Sequence, residues 1–172
     1  GIKDFELKDS LTRGATSTLF KACPLNNSDI ELGIKYIQAE SYKGLKQTFE
    51  KLGGFQEAKL HSLCSHPCIT QVFDFGENKD DFYIVMGLVH GENLLNCIEN
   101  PEWDAPYLQR LKIALGICSA EVYLAGKKIV HNDMCPKNII LSRDNIPKLI
   151  DFGAALRLKK TSSIKGLNAG TP

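Results

Sequence analysis

The run from Ile129 to Leu141, IVHNDMCPKNIIL, sets His131, Asp133 and Asn138 between two apolar segments. Polar groups beside strands that look buried are tolerated where a cleft opens, because a buried charge with no partner is costly. Asp133 can accept a proton from a nucleophile, and Asn138 supplies an oxygen of the kind a hard cation takes. Downstream, NIIL (138–141), the turn SRDN and IPKLI (146–150) read as a hairpin that ends at Asp151-Phe152-Gly153. Such a hairpin carries Asn138 and Asp151 to the same end of two neighbouring strands.

The rest of the chain is an ordinary globular mixture. It has 172 residues, 43% hydrophobic and 24% charged, with a net charge of +1. That length can bury a core as one domain or part of a larger one. The charge creates no field that argues for nucleic acid or a membrane surface. No apolar run approaches the ~20 residues needed to span a bilayer. The six cysteines are scattered, and Cys64-Ser-His-Pro-Cys68 lacks a second ligand pair at zinc spacing. A reducing, intracellular (cytoplasmic) compartment is expected.

Strands are predicted at 5–11, 18–23, 30–37, 69–75 and 81–89, with turns between them. Residues 44–64 turn helical through Leu45, Phe49, Leu52, Phe55, Leu60 and Leu63. Gly53-Gly54 interrupts that pattern, so the helix proper is expected near Phe55. From Tyr107 to Leu124, apolar residues at 111, 114, 115, 118 and 122 trace one helical face. The basic tail after Gly153 reads as a long loop, and no internal repeat is present. Five strands around one helix, followed by a mainly helical part, predict an α+β chain in two lobes.

Four features bear on chemistry. The turn in LTRGATSTLFKA (11–22) is rich in small residues, as a backbone approaching phosphates requires, although such turns are commonly only turns. LGIK (32–35) places Lys35 in an apolar strand, where a lysine either snorkels outward or meets a charge within. Glu57, on the following helix, is its natural partner. Asp133, Asn138 and Asp151 form the fourth feature and the strongest.

In this order the features resemble a eukaryotic-type (Hanks-type) serine/threonine protein kinase catalytic domain over essentially the whole chain. LTRGATSTL resembles the glycine-rich loop and LGIK the strand-3 lysine motif. EAKLHSLCSHPCI resembles the helix C glutamate with its His-Pro loop, and IVMGLVHGENL the hinge with Met86 as gatekeeper. HNDMCPKN resembles the catalytic loop, DFG is intact, and GTP (170–172) resembles the start of the substrate loop. The resemblance implies a kinase fold with a five-stranded antiparallel N-lobe sheet and helix C over 1–89. Over 90–172 it implies the first part of a helical C-lobe. Because the chain stops before the family's APE motif, it is expected to be part of a longer kinase, inactive alone, with the remainder of that lobe as packing partner.

The resemblance also implies roles. Lys35, held by Glu57, would pair the α- and β-phosphates of ATP, and Asp133 would orient and deprotonate the acceptor hydroxyl of a protein substrate. Asn138 and Asp151 would hold Mg2+. Thr12, Gly14 and Ser17 would cover the phosphates. Leu19 and Ile140 would sandwich the adenine under Gly33, beside Met86, Gly87, Val89 and Asn93. Several positions depart from the family pattern. Thr12 and Ser17 replace loop glycines, and Gly33 replaces the usual alanine. His61 stands at a spine position and is expected to be satisfied by a backbone group. Asn132 replaces the arginine that receives an activation-loop phosphate, while Thr161, Ser162 and Ser163 remain as hydroxyls. Cys135 stands where such kinases carry lysine, and Lys137 is the cation expected to substitute for it. Two alternatives stay open: a pseudokinase acting as a binding module, and a small-molecule kinase of the aminoglycoside or choline type.

Overall fold

A computed structural model describes residues 1–14, 17–37, 54–78 and 81–158. The readings on Leu45, Phe49 and Leu52, on Thr161, Ser162 and Ser163, and on the GTP at 170–172 lie outside these residues.

Five strands form one antiparallel sheet: β1 (Phe5–Arg13), β2 (Ser17–Pro24), β3 (Leu32–Ile37), β4 (Val72–Asn78) and β5 (Asp81–Gly87). Their order is β1-β2-β3-β5-β4, so β3 is central. A central strand is covered on both faces and reads as a near-continuous apolar run, which explains LGIKYI. One face gathers Ala22, Leu32, Ile34, Tyr83 and Val85. The other gathers Ile37, Val72, Ile84 and Met86 with Ala58 of helix α1 (Gly54–Ser62). Side chains alternate along a strand, so Lys35 shares a face with Ile37, and that is the face α1 covers. The parity of β3 therefore sends the lysine inward.

The second half holds β6 (Gly91–Asn93), α2 (Leu94–Glu99), α3 (Tyr107–Gly126), β7 (Ile129–Val130), β8 (Ile139–Ser142), β9 (Pro147–Leu149) and β10 (Leu156–Arg157). They form two small sheets, β6-β8-β9 and β10-β7. A Cβ on Gly91 would sit 2.0 Å from the Leu141 carbonyl oxygen, so only glycine lets β6 approach β8 this closely. The α+β expectation holds, with the predicted hairpin realised as β8 and β9. Helix α2 and the short strands β6, β7 and β10 were not among the predicted elements.

Helix α3 runs where periodicity places it but turns the other way. Ile113, Ala120 and Leu124 are buried against Ile129, Ile139, Leu149 and Phe152. The predicted face is outside: Leu115 is 60% and Val122 73% exposed. Both faces are apolar, so periodicity identifies a helix without saying which stripe meets the core; the hairpin below it decides. Among the described residues no helix is long and apolar enough to cross a membrane.

A backbone seam ties the halves together. Ile69 bridges Leu149 in parallel register, with Thr70 N–H donating to the Leu149 carbonyl at 2.9 Å and Leu149 N–H to that of Cys68 at 2.9 Å.

Candidate active site

The strand register builds the site from three directions. From the sheet, Lys35 Nζ reaches Glu57 Oε1 at 2.6 Å and Asp151 Oδ1 at 3.3 Å. Burial draws the Lys35 pKa down, but the charges of Glu57 and Asp151 outweigh it and raise the value. Burial pushes the Glu57 carboxyl up, with Lys35 opposing. These two tendencies disagree about the pair, and the short N–H···O contact decides for the ionised form. Asp151, also pushed up by burial, is held below its usual range by Lys35 and the Gly153 N–H, which donates to Oδ1 at 2.9 Å. One cation thus holds two carboxylates from different parts of the chain.

From the hairpin, Ile139 faces Leu149 across β8 and β9, and Ile150 N–H donates to the Asn138 carbonyl at 3.1 Å. Asn138 and Asp151 therefore lie at the same end of the pair. Asn138 is buried and donates through Nδ2 to Asp133 Oδ2 at 2.8 Å and to the Asp133 carbonyl at 2.9 Å. Asp133 itself is exposed, an acceptor held in place at the mouth. Asn138 Oδ1 and Asp151 Oδ2 carry no hydrogen bond among the described residues. Two free oxygens suit Mg2+, which completes its shell with phosphate oxygens and water rather than a protein cage.

The third direction is the apolar wall. Gly33 pairs with Met86 in register, and Leu19 pairs with Lys35. Gly87 spends its N–H on the Gln71 carbonyl at 2.9 Å. Ile140, half-buried on β8, pairs with Asn93. Gly14 closes the β1–β2 turn, its N–H donating to the Ser17 carbonyl at 2.8 Å, with Thr12 opposite Leu19.

Some of the predicted residues have other work. Asn93 caps α2, accepting from Leu95 N–H at 2.9 Å, and donates to the Lys137 carbonyl, so its amide is committed to the fold. The Lys137 side chain is exposed and makes no ion pair among the described residues. The Cys135 thiol donates to Asp133 Oδ1 at 3.7 Å, a weak contact that spacing does not announce.

Behind the site lies a stack of three rings. Phe152, fully buried, stacks on His61 at 4.2 Å and meets His131 edge-on at 4.9 Å. His61 Nε2 lies 2.6 Å from the Thr70 carbonyl, so Nε2 bears the proton and Nδ1 is a buried lone pair with no partner among the described residues. This is the backbone-satisfied core histidine expected from the sequence. Burial lowers its pKa to about 4 and also lowers that of His131.

Comparison with known proteins agrees with this geometry. The family model described as protein kinase domain matches residues 5–172. Serine/threonine-protein kinase PLK4 of Drosophila melanogaster is 29% identical over 174 residues, covering 99% of this chain and 22% of that protein. The PLK4 of Xenopus tropicalis is 25% identical, covering 99% of this chain and 18% of its own length. The chain spans about a fifth of the length of the curated relatives it matches.

Proposed function

Because this chain belongs to the protein kinase family, we propose that it transfers the γ-phosphate of ATP to a serine or threonine hydroxyl of a protein substrate. The observation that carries the reading is the ionised Lys35–Glu57–Asp151 group facing the Asp133–Asn138 pair. Residues 1–89 act as the lobe that grips the nucleotide and 90–172 as the lobe that carries the reaction. Lys35 orients the phosphates and Asp133 takes the hydroxyl proton. Asn138 and Asp151 hold Mg2+, which neutralises charge on the phosphates. Gly87 and Val89 present main-chain groups to the adenine edge, and Leu19 and Ile140 close on its faces. The six free thiols support a reducing, intracellular setting. The outward apolar face of α3 suits packing against further helical structure.

The test is transfer of labelled γ-phosphate from Mg·ATP to a generic serine/threonine substrate by the protein that carries this chain. Folded protein that transfers none sinks the proposal. A pseudokinase is the second reading, favoured by the thiol of Cys135 on Asp133 Oδ1, a carboxylate that makes no ion pair among the described residues.

Lys137 is the cation proposed to serve the γ-phosphate from that loop. Lys137→Ala then lowers kcat by about tenfold or more with KM for ATP little changed. An unchanged kcat removes Lys137 from the mechanism.

Gly33 gives a separate prediction about the roof. A Cβ there would lie 3.4 Å from Leu19 Cδ1 and 3.5 Å from Met86 Cγ, so a methyl fits without displacing its neighbours. Gly33→Ala adds apolar surface over the adenine and stiffens β3. KM for ATP is expected to fall about two- to fourfold, with a small rise in Tm. A raised KM in steady-state kinetics contradicts this account of the roof.

A further inference from the structure

A hollow of about 440 Å³ lies away from the active site, between Leu63 at the end of α1, the Lys127–Ile129 turn after α3, and Arg157 with Leu158. Among the described residues that line it three are cations, Lys127, Lys128 and Arg157, and none is acidic. Among the described residues none of the three makes an ion pair; Lys127 only lies over the Tyr123 ring at 5.2 Å. The rim is apolar, with Leu63 47% and Leu158 56% exposed.

A simpler reading covers part of this. Lysines after a helix C-terminus offset its dipole, which accounts for Lys127 and Lys128. It does not account for Arg157, which β10 brings to the same place by pairing with Ile129. Nor does it explain Lys128 in the left-handed region at φ 59°, where glycine is the unstrained residue. Leu158 N–H donates to the Lys128 carbonyl at 2.8 Å and fixes that turn against β10. The fold thus converges three uncompensated cations on one concavity with leucines at its edge.

We propose that this hollow is a docking site for an acidic peptide segment of a partner protein, anionic side chains meeting Lys127, Lys128 and Arg157 and an apolar residue lying between Leu63 and Leu158. Charge complementarity argues for an anion. Concavity argues for a peptide over a flat lipid surface, and three cations on a chain of net charge +1 are too few to follow a nucleic-acid backbone. The site is independent of phosphate transfer and adds to it a means of holding a partner.

The probe is a short fluorescent peptide alternating glutamate and leucine, titrated by anisotropy with the protein carrying this chain. The comparison is a variant with Lys127→Gln, Lys128→Gln and Arg157→Gln. All three side chains are exposed, so an unchanged Tm is expected and shows that the fold is intact. Affinity is expected to fall about tenfold in the variant, and to weaken with added salt in the parent alone. A phosphoserine version binding tighter assigns the natural anion as phosphate, and equal binding assigns it as carboxylate. Equal binding of the glutamate peptide to parent and variant, or equal binding of a neutral serine–leucine peptide, overturns the proposal. So does a lysine-dependent affinity for phosphatidylserine vesicles that exceeds the peptide's, which would make the hollow part of a lipid-facing surface.

Discussion

Asp133→Asn is expected to lower kcat for phosphate transfer by about 10²- to 10⁴-fold while leaving KM for ATP nearly unchanged. The amide has the shape of the carboxylate, and its oxygen still accepts the Asn138 Nδ2 donor that sits 2.8 Å from Oδ2. What it lacks is the ability to take a proton from the attacking hydroxyl. In the proposed reading nucleotide binding rests on Lys35, Asn138 and Asp151, none of which the substitution alters. Steady-state kinetics with Mg·ATP separates the two constants. A variant as fast as the parent would show that the proton leaves by another route, and a KM that rises with the fall in kcat would make Asp133 a binding residue.

The second large effect is on stability in acid. The His61 pKa drops from 6.5 to about 4 on folding, so between those values the unfolded chain binds a proton that the folded one refuses. Stability therefore rises with pH across this window. It is complete above ~6.5 and is lost as pH falls toward 4, by about 3 kcal/mol in all and about 2 kcal/mol by pH 5. The cause is visible in the ring stack. A proton on Nδ1 would put a charged donor where no acceptor stands among the described residues, against the face of Phe152. His131 shifts in the same direction and adds to the slope, and Glu57, raised by burial, works against it. Denaturant unfolding at pH 7 and pH 5 measures the difference. His61→Leu should flatten much of it, at a cost of about 1 kcal/mol at pH 7 for the Thr70 carbonyl left without its donor. The same slope in parent and variant would place the titration elsewhere.

The site was more legible than the fold around it. Asp133, Asn138 and Asp151 sit in a motif whose spacing ties them to one hairpin, and Lys35 announces itself as a charge inside an apolar strand. Elements of two or three residues, such as β6, β7 and β10, are too short to show a period, and only the packed chain reveals them. Asn93 is a different case. An asparagine just before Leu94-Leu95 is an ordinary helix-cap signal, and that cap is formed at the position the hinge resemblance assigns to the nucleotide. The outward turn of α3 was not decidable from its own residues, since either apolar stripe satisfies the pattern. The Cys135 contact with Asp133 depends on a backbone path that spacing does not encode.

The seam at Ile69 and Leu149 has a mechanical consequence. The stretch 68–70 precedes β4 in sequence, yet its hydrogen bonds fasten it to β9, and His61 adds a bond to Thr70 at 2.6 Å. The C-terminal end of α1 is therefore pinned to the lower half, and the helix is a lever with its fulcrum near Ser62. Glu57 lies five residues along, about 7.5 Å from that fulcrum at 1.5 Å per residue. A tilt of about 20° would carry the carboxylate some ~2.5 Å, enough to part it from Lys35 while the fulcrum stays still. Engagement of the lysine is thus an angular setting, and any force applied at the N-terminal end of α1 is transmitted to it with the full length of the arm.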